Sequence, residues 1–214
     1  MSETEVAPAM VESELLVHKT LAYSVTRLAV WTWLKLVHRL RVEGRENLPL
    51  EGPVVIASNH QSFLDIPIVA ASTRRHVCFV ARDSLARSRP LAWLMRRCGA
   101  VLIGRGTADR RALREMGAHL AAGDCLTVFP EGTRSEDGRL GPFKGGAIAS
   151  ARRAGAVVVP TAIRGAIDAL PRGASFPRPA RITITFGVPL DPAEEGAEER
   201  LLAAVEALVG DGRT

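Results

Sequence analysis

Aromatic side chains are scarce, with Phe, Trp and Tyr making up only 5% of the 214 residues. With so few stacking platforms and no groove-reading motif, the net charge of +5 does not point to a nucleic-acid partner. Cysteine is also sparse. Cys78, Cys98 and Cys125 stand far apart, each in or beside an apolar stretch and without disulfide or metal-ligand spacing, which predicts reduced, buried thiols in a cytosolic setting. Of the five histidines, His18, His38, His76 and His119 stand alone, as surface or core filler does, so no metal is expected. There is no apolar run of the roughly 20 residues a spanning helix needs. The first 14 residues carry Glu3, Glu5, Glu12 and Glu14 and no basic side chain, which excludes a signal peptide and predicts a disordered tail.

The length suits one domain with a substantial core. Charge is unevenly spread: residues 74–114 hold eleven arginines against Asp83 and Asp109, a net +9 that leaves −4 for the rest. Such a cationic face predicts an anionic surface or ligand as partner. Residues 15–40 read as an amphipathic helix or helix pair, with Leu21, Val25, Leu28, Trp33, Leu36 and Leu40 on one side and Ser24, Arg27, Lys35 and His38 on the other. With Tyr23, Trp31 and Trp33 along it, this is the pattern of a segment lying in a lipid interface.

From residue 41 to 214 we expect a single domain. Apolar runs at 54–58, 77–81, 100–103, 125–129, 156–163 and 182–186 are mostly continuous rather than alternating, as suits strands covered on both faces. Helical stretches at 66–73, 90–98, 107–122 and 144–154 separate them. A last helix is signalled by Asp191 as N-cap, Pro192, Glu194 and Glu195 in its first turn, and Gly210 after it. The order predicts an α/β fold, a largely parallel β-sheet flanked by helices.

In such a sheet, loops at the carboxyl ends of the strands gather at one edge. Two carry chemistry. The first, Asn59 to Asp65, places His60 five residues before an acid: a neutral imidazole can take a proton near pH 7, and a carboxylate on its other nitrogen fixes tautomer and orientation. Asp65 is the candidate for that role, and it also sits where it could cap a helix starting at Ile66 and Pro67. Ser62 reads as a turn or cap hydroxyl. The second loop, Phe129 to Ser135, sets Glu131 and Arg134 around Gly132.

These stretches resemble the motifs of the 1-acylglycerol-3-phosphate acyltransferase family of glycerolipid synthesis. Asn59, His60, Ser62 and Asp65 match its Asn-His-x-Ser-x-x-Asp signature, and Phe129 to Ser135 matches Phe-Pro-Glu-Gly-Thr-Arg-Ser at every position. Phe143, Lys144 and Gly145 resemble its Phe-Lys-x-Gly companion, and Val159, Pro160 and Gly165 resemble its last motif. The segment Val101 to Arg105 departs from the family's Phe-x-x-Asp-Arg, keeping the arginine but losing the aromatic and the acid.

The resemblance implies transfer of a fatty acyl group from a coenzyme A or acyl carrier protein thioester to the free hydroxyl of a lysophospholipid, most readily 1-acylglycerol-3-phosphate. It implies that His60 is the base and Asp65 its orienter. Arg105, Glu131, Gly132, Thr133, Arg134 and Lys144 would bind the acceptor, and Pro160 would shape the wall near the acyl chain. The thioester is a co-substrate and no cofactor is implied. The expected place of action is the cytoplasmic face of a membrane, held peripherally on anionic lipid. Two alternatives use the same residues: a thioesterase or esterase in which the pair activates water, and an inactive lipid-binding adaptor. Acyl-chain length, carrier, head group and oligomeric state are not encoded in these motifs.

Overall fold

The apolar run at 54–58 becomes the middle strand of a seven-stranded sheet. The computed structural model describes residues 21–82, 93, 95, 99–103 and 108–210. Strands β1 (Arg41–Glu43), β2 (Val54–Ser58), β3 (Val77–Arg82), β4 (Ala100–Ile103), β5 (Cys125–Val128), β6 (Val157–Arg164) and β7 (Thr183–Phe186) lie in the order β1-β7-β6-β2-β5-β3-β4. Among the described strands, β6 and β7 are the one antiparallel pair. The other described pairings are parallel, as continuous apolar runs require. Six strands fall within a residue or so of their expected places. β1 was not expected: its three residues include a single apolar one, Val42, and it forms as an edge strand through its parallel pairing with β7.

Parallel strands need crossovers, and helices α1 (Leu21–His38), α2 (Asp65–Ser72), α3 (Ala108–Ala121), α4 (Gly146–Ala154), α5 (Ala166–Ala169) and α6 (Ala197–Gly210) cover the sheet. Because successive strand residues point to opposite faces, β2 serves two cores. Val54 and Ile56 pack with Leu34 of α1 and Ile68 and Val69 of α2. Val55 and Ala57 pack with Met116 and Leu120 of α3, Ile148 of α4, and Leu201 and Val205 of α6.

The last helix starts at Ala197 rather than beside Asp191. Asp191 instead accepts the Ala193 N–H at 2.8 Å in a local turn, and Gly196 at φ 70° separates that turn from the helix. The acidic first turn is Glu198 and Glu199, and Gly210 is the last helical residue. The expected helix over 90–98 falls almost wholly outside the described residues, as do the tail 1–14 and residues 15–20.

Helix α1 corrects the expected division of its faces. Arg27 turns inward, its Nη1 donating to the Thr73 carbonyl at 2.7 Å, and His38 is fully buried with its ring edge-on to Trp33. Leu40 is buried too. Ser24 and Lys35 are exposed as expected, but they share the outward face with an apolar stripe, Leu28 63% and Leu36 78% exposed beside Val25. Thr32 hides its hydroxyl hydrogen on the Leu28 carbonyl. No helix among the described residues is long and apolar enough to cross a membrane.

Candidate active site

Strands β2 and β5 are parallel neighbours, Ala57 level with Val128, so the loops that follow them leave the sheet side by side. This brings together groups 71 positions apart: the His60 backbone N–H donates to Glu131 Oε1 at 2.8 Å. The Ser135 N–H returns a bond to the His60 carbonyl at 2.8 Å. Asn59 pins the first loop to β6, its amide donating to the Ile163 carbonyl at 2.9 Å and accepting the Ile163 N–H at 2.7 Å.

The His60 Nδ1 lies 2.8 Å from Asp65 Oδ2; the acid is 0% exposed and the imidazole 17%. The same Oδ2 accepts backbone N–H groups from Gln61 at 2.6 Å and Ser62 at 2.8 Å. Asp65 is therefore the first residue of α2 but makes no cap bond; its carboxylate faces back into the loop. Two backbone N–H donors already fix this buried oxygen as an acceptor, which favours the tautomer with the proton on Nδ1 and leaves Nε2 as the basic nitrogen. Phe129 stacks on the ring at 4.0 Å and 16°, fixing its plane. Ser62 is a turn hydroxyl rather than a helix cap, accepting the Leu64 N–H and donating to the Leu170 carbonyl at 2.8 Å.

In the second loop Glu131 is buried, and each carboxylate oxygen is engaged: Oε1 by His60 and Oε2 by the Gly141 N–H at 2.9 Å. Burial holds this carboxyl above its ordinary value, and the two backbone donors moderate the rise. Gly132 sits at φ 70°, a left-handed conformation that favours glycine. A Cβ there would meet the Lys144 ammonium at 2.8 Å, so the lysine lies directly over that bare backbone. Thr133 is exposed.

The Arg134 guanidinium lies 3.7 Å above the Phe63 ring, and its Nη1 is buried with no hydrogen-bond partner among the described residues. Burial, and then the nearby Arg172, lower its pKa. Arg172 in turn is ion-paired to Glu136. Neither Phe63 nor Arg172 was singled out by the motifs; an aromatic three residues after His60 was the available signal for Phe63. Pro160 is buried within β6 level with Ala57, in the sheet rather than in the loops above it. Arg105 lies outside the described residues.

A second histidine–aspartate pair stands at the sheet's opposite, amino-terminal edge. His119, at the end of α3, places Nδ1 2.8 Å from Asp124 Oδ2 and 3.5 Å from Cys78 Sγ. The sequence spacing is that of His60 and Asp65, yet His119 had read as isolated. Burial pushes the Cys125 thiol up to about 12 and that of Cys78 higher, so neither is a nucleophile. Cys98 lies outside the described residues.

The pattern of the family described as Acyltransferase matches residues 39–164, from β1 through β6. A 1-acyl-sn-glycerol-3-phosphate acyltransferase of Chlamydomonas reinhardtii is 37% identical over 80% of this chain and 52% of its own length. A lyso-ornithine lipid O-acyltransferase of Pseudomonas aeruginosa is 34% identical over 68% and 56%. The crystal structure of the 1-acyl-sn-glycerophosphate acyltransferase PlsC from Thermotoga maritima superposes with a TM-score of 0.75 at 29% identity, covering 95% of this chain and 86% of that one. The chain spans about half the length of the two curated relatives.

Proposed function

The chain belongs to the acyltransferase family, and from that premise we propose that it moves a fatty acyl group from a coenzyme A or acyl carrier protein thioester to the free hydroxyl of 1-acylglycerol-3-phosphate, giving phosphatidic acid. The observation that carries this reading is the His60–Asp65 pair, with the acid sealed in the protein and the base turned towards the loop edge. His60 Nε2 takes the proton of the acceptor hydroxyl as its oxygen attacks the thioester carbonyl. The tetrahedral intermediate then expels the thiolate, which receives that proton from the imidazolium. Asp65 orients the ring and steadies its charge. No metal or organic cofactor is called for.

The acceptor phosphate is assigned to Arg134, whose buried Nη1 lacks a partner and whose planar fork suits a phosphate. Lys144, lying over Gly132, extends that cationic surface. Thr133 offers a hydroxyl, and Arg105 keeps its assignment from the motif. Glu131 takes a positioning role in place of the expected contact with the acceptor, since both of its oxygens already tie one loop to the other. Pro160 shapes the floor through the sheet, not through exposed contact with the acyl chain.

The outward stripe of α1 supports peripheral attachment to a membrane, with Val25, Leu28 and Leu36 in the acyl boundary and Lys35 among anionic head groups at the cytoplasmic face. Replacing Leu28 and Leu36 together by Asp should weaken binding to anionic vesicles by about tenfold or more, read by co-sedimentation.

The deciding assay gives the purified chain an acyl thioester and 1-acylglycerol-3-phosphate and follows free thiol and phosphatidic acid by mass spectrometry. Both should appear together, and His60→Ala should stop both while leaving the circular dichroism spectrum unchanged. Thiol release at full rate without acceptor would replace the transferase by a hydrolase, and undiminished activity of His60→Ala would remove the base assignment.

A further inference from the structure

Three heteroatoms of different chemistry converge at the amino-terminal edge of the sheet, across the molecule from His60. Cys78 comes from the start of β3, His119 from the end of α3, and Asp124 from the residue before β5. The separations are 3.5 Å from Sγ to the imidazole Nδ1, 2.8 Å from Nδ1 to the carboxylate Oδ2, and 3.9 Å from Sγ to that same oxygen. A zinc ion bonded to S, N and O at about 2.3, 2.0 and 2.0 Å spaces a tetrahedral set at about 3.3–3.6 Å, so each separation lies within about half an ångström of what the ion would impose.

Cys78 is fully buried, the His119 side chain is 9% exposed and that of Asp124 is 32% exposed, leaving one solvent-facing side through which an ion could enter. His76, two residues before Cys78, packs its ring on Tyr23 of α1 at 4.0 Å between centroids and is not one of the three converging groups.

We propose that Cys78, His119 and Asp124 form a site for a borderline-soft divalent cation, zinc above all, with a water molecule in the fourth position. The thiolate, imidazole and carboxylate set is the one zinc prefers over magnesium or calcium. Binding releases the thiol proton to solvent and leaves the remaining His119 imidazole proton on Nε2, since Nδ1 becomes the ligand. The ion would join β3, the end of α3 and the start of β5, and it takes no part in acyl transfer at the other edge.

The test uses the full chain, stripped with a chelator and titrated first with Co²⁺ and then with Zn²⁺. One equivalent of cobalt should bring up the thiolate-to-metal charge-transfer absorption and the intense visible bands of tetrahedral cobalt, and zinc should bleach both. His60→Ala should keep these spectra, whereas Cys78→Ser should lose the charge-transfer band. Zinc should raise the thermal unfolding midpoint of the parent chain but not that of Cys78→Ser. Should Cys78→Ser fail to fold, Asp124→Asn, altered at the exposed end of the cluster, should bind cobalt about tenfold or more weakly, at least the loss expected for a supporting residue of a metal site. Absence of the charge-transfer band in the parent chain, its survival in Cys78→Ser, or unchanged cobalt affinity in Asp124→Asn overturns the proposal.

Discussion

Two histidine–aspartate pairs with the same sequence spacing and the same 2.8 Å contact sit at opposite edges of one sheet, and they face opposite ways. At the carboxyl edge the acid is sealed and the imidazole is the more exposed member. At the amino edge the order is reversed: the imidazole is 9% exposed and the acid 32%. The difference teaches that a His-Asp contact is not by itself a catalytic unit. A base must meet its substrate, so the pair with the outward imidazole can do general-base work, whereas the pair with the inward imidazole, beside a buried thiol, is arranged to hold something small.

The sharpest way to break this contrast is His60→Ala. Acyl transfer should fall by about 10²–10⁴-fold, the usual worth of general-base assistance, in steady-state phosphatidic acid formation. Next is the pair of amide substitutions. Asp65→Asn should lower turnover by about 10²-fold or more, because an amide can hold the wrong imidazole tautomer. It should also lower stability in denaturant by about 1–3 kcal/mol, since Oδ2 serves two backbone donors besides the ring. Asp124→Asn, in metal-free protein, should cost no more than about 1 kcal/mol in the same titration, as befits a partly exposed pair.

A subtler effect lies in Glu131, whose carboxyl burial holds above its ordinary 4.5. The folded protein favours the protonated acid, so this contribution to stability is present below the ordinary value and fades as pH rises through the raised one. Glu131→Gln should remove that fading, giving a less downward pH dependence of the denaturation midpoint above the ordinary carboxylate range. The smallest effect is Gly132→Ala. The left-handed backbone should cost about 1 kcal/mol, and because the displaced Lys144 terminus is flexible, the change should show as a few-fold rise in KM for the phosphate-bearing acceptor with kcat little altered.

Much of the fold was readable because parallel strands covered on both faces leave an unbroken apolar signature, as at Val54–Ser58. The edge strand Arg41–Glu43 escaped because pairing with β7, not its own composition, makes it a strand. Asp191 misled because an aspartate followed by proline favours a tight turn as readily as a helix start, and Gly196 separates the two. In the site, the motifs named both catalytic-loop partners but not their geometry. Nothing in the sequence order says that Asp65 turns away from its helix, that Glu131 spends its oxygens on backbone, or that Arg134 rests on Phe63. The His119–Asp124 pair stayed invisible because its third member, Cys78, is adjacent only through the pairing of β3 with β5.

The placement of β2 has a consequence during translation. Its two neighbours begin at Cys125 and Val157, so a ribosome releases the His60 segment long before the strands that flank it, and the pairings it needs are long-range ones that form only once that downstream sequence has emerged. A stalled or shortened nascent product ending before β5 has neither Phe129 nor Glu131 to set the imidazole. The setting of the proposed base is thus completed only after the chain has been made past residue 131.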